Sequence, residues 1–166
     1  MIYLLLDRID RRKPFPRVSA HCDIPCKIYD PHGAQIAALS VVRFLDLMTE
    51  LMGKKVFDSI DHVQLSRLTR EKEIHAEKVK DEVRVLWGDY FKTPQLERFP
   101  DTPELVHKIM LKASACKQQV DRTFGLELLD LVNELASRFW STKSIDSYVA
   151  KCPYPPELDV VYPKLA

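Results

Sequence analysis

Proline is absent from His32 to Thr93 and again from Glu104 to Lys151, and all 11 prolines fall before, between or after these two blocks. Proline removes a backbone donor and clashes with the preceding turn, so helices end where it clusters and run where it is missing. Each block is long enough for two helices. In the first, Ile36, Leu39, Val42, Leu45, Met48 and Met52 recur at three- and four-residue steps, with Asp30 as the expected N-cap and Pro31 at the first helical position. Gly53-Lys54-Lys55 reads as the stop. Ile60, Val63, Val79, Val83, Leu86 and Tyr90 then mark a second helix running to about Trp87.

A third helix is expected from Thr102-Pro103-Glu104, with Val106, Ile109, Ala113, Cys116 and Val120 on one face, and a fourth through Phe124, Leu128, Leu131, Leu135 and Phe139, with Gly125 near its start. Four such stripes bury most simply against one another, so the expected fold is all-α: an antiparallel up-and-down four-helix bundle. No strand signal competes. The stretch 144–166, rich in proline and tyrosine, reads as a tail packed on a neighbour.

Composition narrows the function classes. A chain of 166 residues that is 46% hydrophobic supports one core. Lys and Arg number 25 against 24 Asp and Glu, a formal charge of +1, so neither a basic nucleic-acid field nor an acidic disordered tract is present. The apolar run from Ala37 to Val42 is broken by Arg43 and Asp46, far short of the about 20 residues of a membrane span, and the expectation is a soluble chain. Four cysteines are too few for a disulfide scaffold.

The first twenty residues hold Arg8, Arg11, Arg12, Lys13 and Arg17 against Asp7 and Asp10, a basic segment preceding a chain of opposite net sign. Ile2 to Leu6 is too short for a secretory core and precedes the charges that should come first. Val18-Ser19-Ala20 nonetheless ends in small residues suited to a leader peptidase, directly before His21-Cys22. If the chain is cut after Ala20, His21 gains a free amine. That amine, the Cys22 amide nitrogen, and the thiolates of Cys22 and Cys26 can then form a planar donor set, with Pro25 rigidifying the turn and the His21 imidazole as axial ligand. Square-planar nitrogen and sulfur donors point to nickel or copper and away from tetrahedral zinc.

The stretch His21-Cys22-Asp23-Ile24-Pro25-Cys26-Lys27-Ile28-Tyr29-Asp30-Pro31 resembles the N-terminal nickel hook of the nickel superoxide dismutases. Val85 to Lys92 and Phe139 to Lys143 are similar to later parts of the same family, so the resemblance spans His21 to about Lys143. It implies a leader, 1–20, removed before His21; a domain, 21–143, made of a hook, 21–29, and a four-helix bundle, about 31–143; and assembly as a homohexamer. It implies one nickel ion per subunit, held by His21, Cys22 and Cys26, that cycles between Ni(II) and Ni(III) to turn superoxide into dioxygen and hydrogen peroxide. A nickel-delivery factor is implied as well. Tyr29 matches the tyrosine that closes the family's pocket, Asp23 and Pro25 match positions that shape the hook, and Tyr90 and Lys92 match residues near the entrance, where a lysine raises the encounter rate of a small anion.

This chain departs from the family in three places. Ala37 and His75 stand where some members carry a glutamate and an arginine that hydrogen-bond the axial imidazole. Lys27 takes the place of a common glycine. The tail after Lys143 has no family counterpart. Cys116 reads as a buried core residue, Trp87 and Phe91 as core aromatics, and the charges from Arg70 to Glu82 as a solvated face. Cys152 is given no role. Reduced thiols and the lack of a secretory signal favour the cytoplasm. The alternative to a dismutase is a catalytically silent helical oligomer, or another metal-binding module, that keeps its leader.

Overall fold

The computed structural model describes residues 26–165. Five helices and a hairpin follow in order: α1, His32–Met52; α2, Ser59–Val85, prolonged by a π-helical turn over Leu86–Tyr90; α3, Thr93–Arg98; α4, Thr102–Gln118; α5, Arg122–Thr142; then β1, Ser147–Lys151, and β2, Asp159–Pro163. α1 packs on α2 and α5, and α4 on α5 and α2, closing the four long helices into the expected bundle.

Local chemistry sets the ends. The Asp30 carboxylate accepts the backbone N–H of His32 at 2.7 Å, and Gly53 closes α1. Asp58 opens α2 in a capping box, accepting from Ile60 and Asp61 while Asp61 returns a bond to the Asp58 N–H. Asp121 caps α5 through the Thr123 N–H. Asp61 itself is buried and takes the Lys54 ammonium at 2.6 Å, an ion pair that holds its carboxyl below the ordinary value. The short α3 was not legible as a separate helix, because its six residues are too few to show a period.

The core is the set of stripes read from the sequence: Leu39, Val42 and Leu45 of α1, Val79 and Val83 of α2, Ile109, Ala113 and Cys116 of α4, Leu128, Leu135 and Phe139 of α5. α1 and α5 approach most closely at Gly125, where a Cβ would stand 3.0 Å from both Leu45 Cδ1 and Val42 Cγ2. Two expectations fail. Ile60 and Val63 of α2, with Met52 at the end of α1 and Val120 beyond the end of α4, were placed in the buried stripes and are 73%, 62%, 47% and 43% exposed. For Ile60 and Val63 the cause is length: α4 ends beside Lys72, whose ammonium reaches the carbonyls of Lys117 and Gln119, so the first turns of α2 project beyond it.

The second correction concerns 144–165. It is not an irregular tail but an antiparallel hairpin, with Tyr148 opposite Tyr162 and Val149 opposite Val161. It packs on its own chain, through buried Cys152, Val160 and Val161. The Asn133 side chain clamps β2, accepting from the Val161 N–H and donating to the Asp159 carbonyl, while buried Gln35 donates to both the Asn133 oxygen and the Val161 carbonyl. Proline and tyrosine hid the strands: in a two-stranded hairpin every residue is on an edge, where proline is tolerated.

Candidate metal centre

The site lies where the chain enters α1 and leaves α5. Of the proposed ligands only Cys26 is among the described residues; His21 and Cys22, with Asp23 and Pro25, lie outside them. Cys26 is exposed and in no disulfide. Lys27 then adopts φ 59°, in the left-handed region where a side chain is strained and glycine is not. The reversal carries the chain to Tyr29, whose half-buried ring sits 5.6 Å from that of Tyr90, tilted by 53°.

Tyr90, like Tyr29, is partly buried against the core. It ends the π-helical turn, in which the Phe91 N–H bonds to the Leu86 carbonyl at 3.0 Å. That turn lets Leu86 and Phe91 both bury, while Tyr90 points across to α5. Its ring packs 4.6 Å from Phe139, and its hydroxyl lies 2.5 Å from Thr142 Oγ1. The Thr142 hydroxyl spends its own proton on the Phe139 carbonyl, at 2.6 Å. Tyr90 is therefore the donor to Thr142, and the lone pairs of its phenolic oxygen remain able to accept. Thr142 escaped notice in the sequence, although its spacing of three from Phe139 put both on one side of α5.

Lys92 is exposed; its ammonium bonds to the Gly88 carbonyl and its backbone N–H to Gln95 Oε1. His75 Nδ1 bonds to the Glu71 carbonyl one turn back at 2.8 Å, and its ring packs 5.1 Å from Phe44; His21, the residue it would have to meet, lies outside the described residues. Ala37 is fully buried. Near the start of α1, Gly33 leaves the space that the Glu82 carboxylate fills, 2.9 Å from where a Cβ would be. Trp87 packs half-buried against the core and Phe91 within it, as expected of structural aromatics.

No group of three or more His, Cys, Asp or Glu side chains among the described residues could hold a metal, which leaves the hook as the candidate donor set. Its chemistry fits nickel: thiolate sulfur with amine, amide and imidazole nitrogen supports the planar geometry that nickel takes and zinc does not. The free, exposed Cys26 thiol is compatible with that role.

The sequence matches the family described as nickel-containing superoxide dismutase over residues 16–143. Two proteins named as nickel superoxide dismutases, from Streptomyces coelicolor and Streptomyces seoulensis, are 38% and 39% identical over 130 residues, spanning 78% of this chain and 93% of each relative. A native nickel superoxide dismutase structure superposes with a TM-score of 0.66 at 38% identity, covering 75% of this chain and 99% of the other. An apo structure gives 0.63 at 35% identity, covering 70% and 98%. The hairpin lies beyond the matched family stretch.

Proposed function

The chain belongs to the nickel-containing superoxide dismutase family, and from that membership we propose that, once cut before His21, it converts superoxide to dioxygen and hydrogen peroxide. The observation that carries the reading is the matched stretch, 16–143, which contains all three proposed ligands and both ends of the Tyr29–Tyr90 pair. Nickel, when bound, supplies the one-electron chemistry, alternating between Ni(II) and Ni(III) with successive superoxide ions.

The chain's own residues then have distinct tasks. The His21 amine and imidazole, the Cys22 amide and thiolate and the Cys26 thiolate hold one ion per subunit, and Asp23 shapes the hook. Tyr29, leaning on Tyr90, narrows the approach so that only a small ligand enters. Tyr90, with its proton turned to Thr142, offers an acceptor to a bound water or peroxide. Lys92 contributes positive potential at the entrance. A leader peptidase and a nickel-delivery factor complete the set of partners, and the cytoplasm is the proposed compartment. No helix among the described residues is long and apolar enough to cross a membrane.

A homohexamer belongs to the same proposal. Ile60 and Val63 stand uncovered on α2 and line a groove with Phe44 and Leu68, and an apolar face of that kind suits subunit contacts.

The test is intact-mass analysis of the native protein, with nickel and superoxide-dismutase assays on the same sample. A chain starting at His21 with one nickel and activity supports the proposal. Full activity in a nickel-loaded chain that still begins at Met1 overturns it, because the amine ligand is then an amide. Inactivity of a correctly cut, nickel-loaded chain favours the silent oligomer.

A further inference from the structure

Most lysines on this bundle are paired or capped. Lys54, Lys108, Lys112 and Lys117 each face a carboxylate, and Lys72 is buried against two carbonyls. Lys143 differs. It is exposed, it forms no ion pair among the described residues, and its ammonium stands 5.0 Å from the centroid of the Tyr90 ring and 5.1 Å from that of Phe139.

A lysine at a helix end would ordinarily sweep a wide volume, but here both flanks are pinned. The Lys143 N–H bonds to the Trp140 carbonyl, the Ser144 N–H to Ser141, and the Ile145 N–H again to Trp140, at 3.0, 3.0 and 3.1 Å. Ser144 turns the chain at φ 57°, and Ile145 packs against the core as the hairpin begins. The hairpin, clamped by Asn133, thus converts the end of α5 into a fixed corner. The residue before Lys143 is Thr142, which accepts the hydrogen bond from the Tyr90 hydroxyl.

We infer that Lys143 is an anion-steering residue: its ammonium, on the face of Tyr90 and with no ion pair to a described residue, forms, with Lys92, a cationic rim that draws superoxide to the site. This rests on the dismutase reading. The physical case is that the chain left after the cut before His21 holds 20 Lys and Arg against 22 Asp and Glu, a formal charge of -2, so attraction of an anion must come from charges placed locally. An ammonium held over an aromatic face stays unneutralised, and its field acts within the Debye length of about 8 to 10 Å.

Two experiments decide it. In cut, nickel-loaded protein, Lys143→Gln lowers kcat/KM about two- to threefold at low ionic strength, Lys143→Glu lowers it further, and Lys143→Arg restores it. The loss falls on kcat/KM with kcat unchanged, and all variants converge at high salt. In metal-free full-length protein, quenching of Trp87 and Trp140 by iodide relative to caesium falls in Lys143→Gln, while quenching by neutral acrylamide is unchanged.

An unaltered iodide-to-caesium ratio, or an unaltered salt dependence in an active enzyme, overturns the inference and leaves the dismutase reading intact. A nickel-loaded, cut wild type without activity overturns the dismutase reading, and the quenching ratio then reports on the cationic rim by itself.

Discussion

Lys72 offers a quantitative test of how the bundle closes. It is 1% exposed, and its ammonium donates to the carbonyls of Lys117 and Gln119, both at 2.9 Å. These are among the last carbonyls of α4, which have no donor within their own helix. A cation there also meets the negative end of the helix dipole. Burial pushes the Lys72 pKa below its ordinary value of 10.5, partly offset by Glu73, so the ammonium is held at a desolvation cost.

Lys72→Met keeps most of the apolar stem and removes the donors. A charge-assisted bond contributes about 1.5 to 3 kcal/mol, and leaving a buried acceptor unmade costs about 1 to 3 kcal/mol. Gln119 is exposed, so water can replace one of the two bonds. Relief of the desolvation cost returns part of the remainder, leaving a net loss of about 2 kcal/mol. With a urea m-value of about 2 kcal/mol/M, the midpoint should fall by about 1 M, and the Tm by about 4 to 8 °C. Glu73→Gln, on the exposed side of the same helix, is the control and should stay within about 0.5 kcal/mol. A Lys72→Met midpoint equal to or above that of the wild type refutes the capping role.

Four further outcomes are expected. Gly125→Ala should lose about 1 kcal/mol in urea melts despite better helix propensity, because Leu45 and Val42, both buried, cannot retreat from the new Cβ. Lys27→Gly, relieving φ 59°, should tighten nickel binding about two- to fivefold in a chelator competition. Asn133→Ala should loosen the hairpin, read as faster limited proteolysis within 144–165 at unchanged helix content by circular dichroism. Burial pushes the Cys116 thiol up to about 11 from 9.0. The native state then holds its proton where the unfolded chain has lost it, so stability is full below pH 9 and falls, by up to about 1.4 kcal/mol per pH unit, toward pH 11. Stability curves of Cys116→Val should lack that component.

Periodicity and punctuation made the bundle legible. Apolar steps of three and four placed Leu39, Val79, Ile109 and Leu128 correctly in the core, and Asp30, Gly53 and the Thr102-Pro103 pair marked helix ends within a residue or two. The hook's donor types were readable because a chelate built from consecutive residues needs no tertiary contact to be recognised. Less local facts were hidden. A periodic stripe states which face is apolar, not where the partner helix stops, so Ile60 and Val63 looked buried. Strand pairing in 147–163 is supported by the Asn133 amide of α5 and by the Gln35 amide of α1, at the other end of the chain.

The sequence by itself determined the four long helices and most of their buried faces, because these follow from interactions among residues within a few positions of one another. Only the tertiary structure decided that the Tyr90 hydroxyl donates a hydrogen bond to Thr142, that His75 bonds into its own helix, and that Lys143 stands over Tyr90. Those relations join residues brought together only when α2 and α5 pack, or choose between local and distant partners of equal chemistry, and no spacing along the chain encodes that choice.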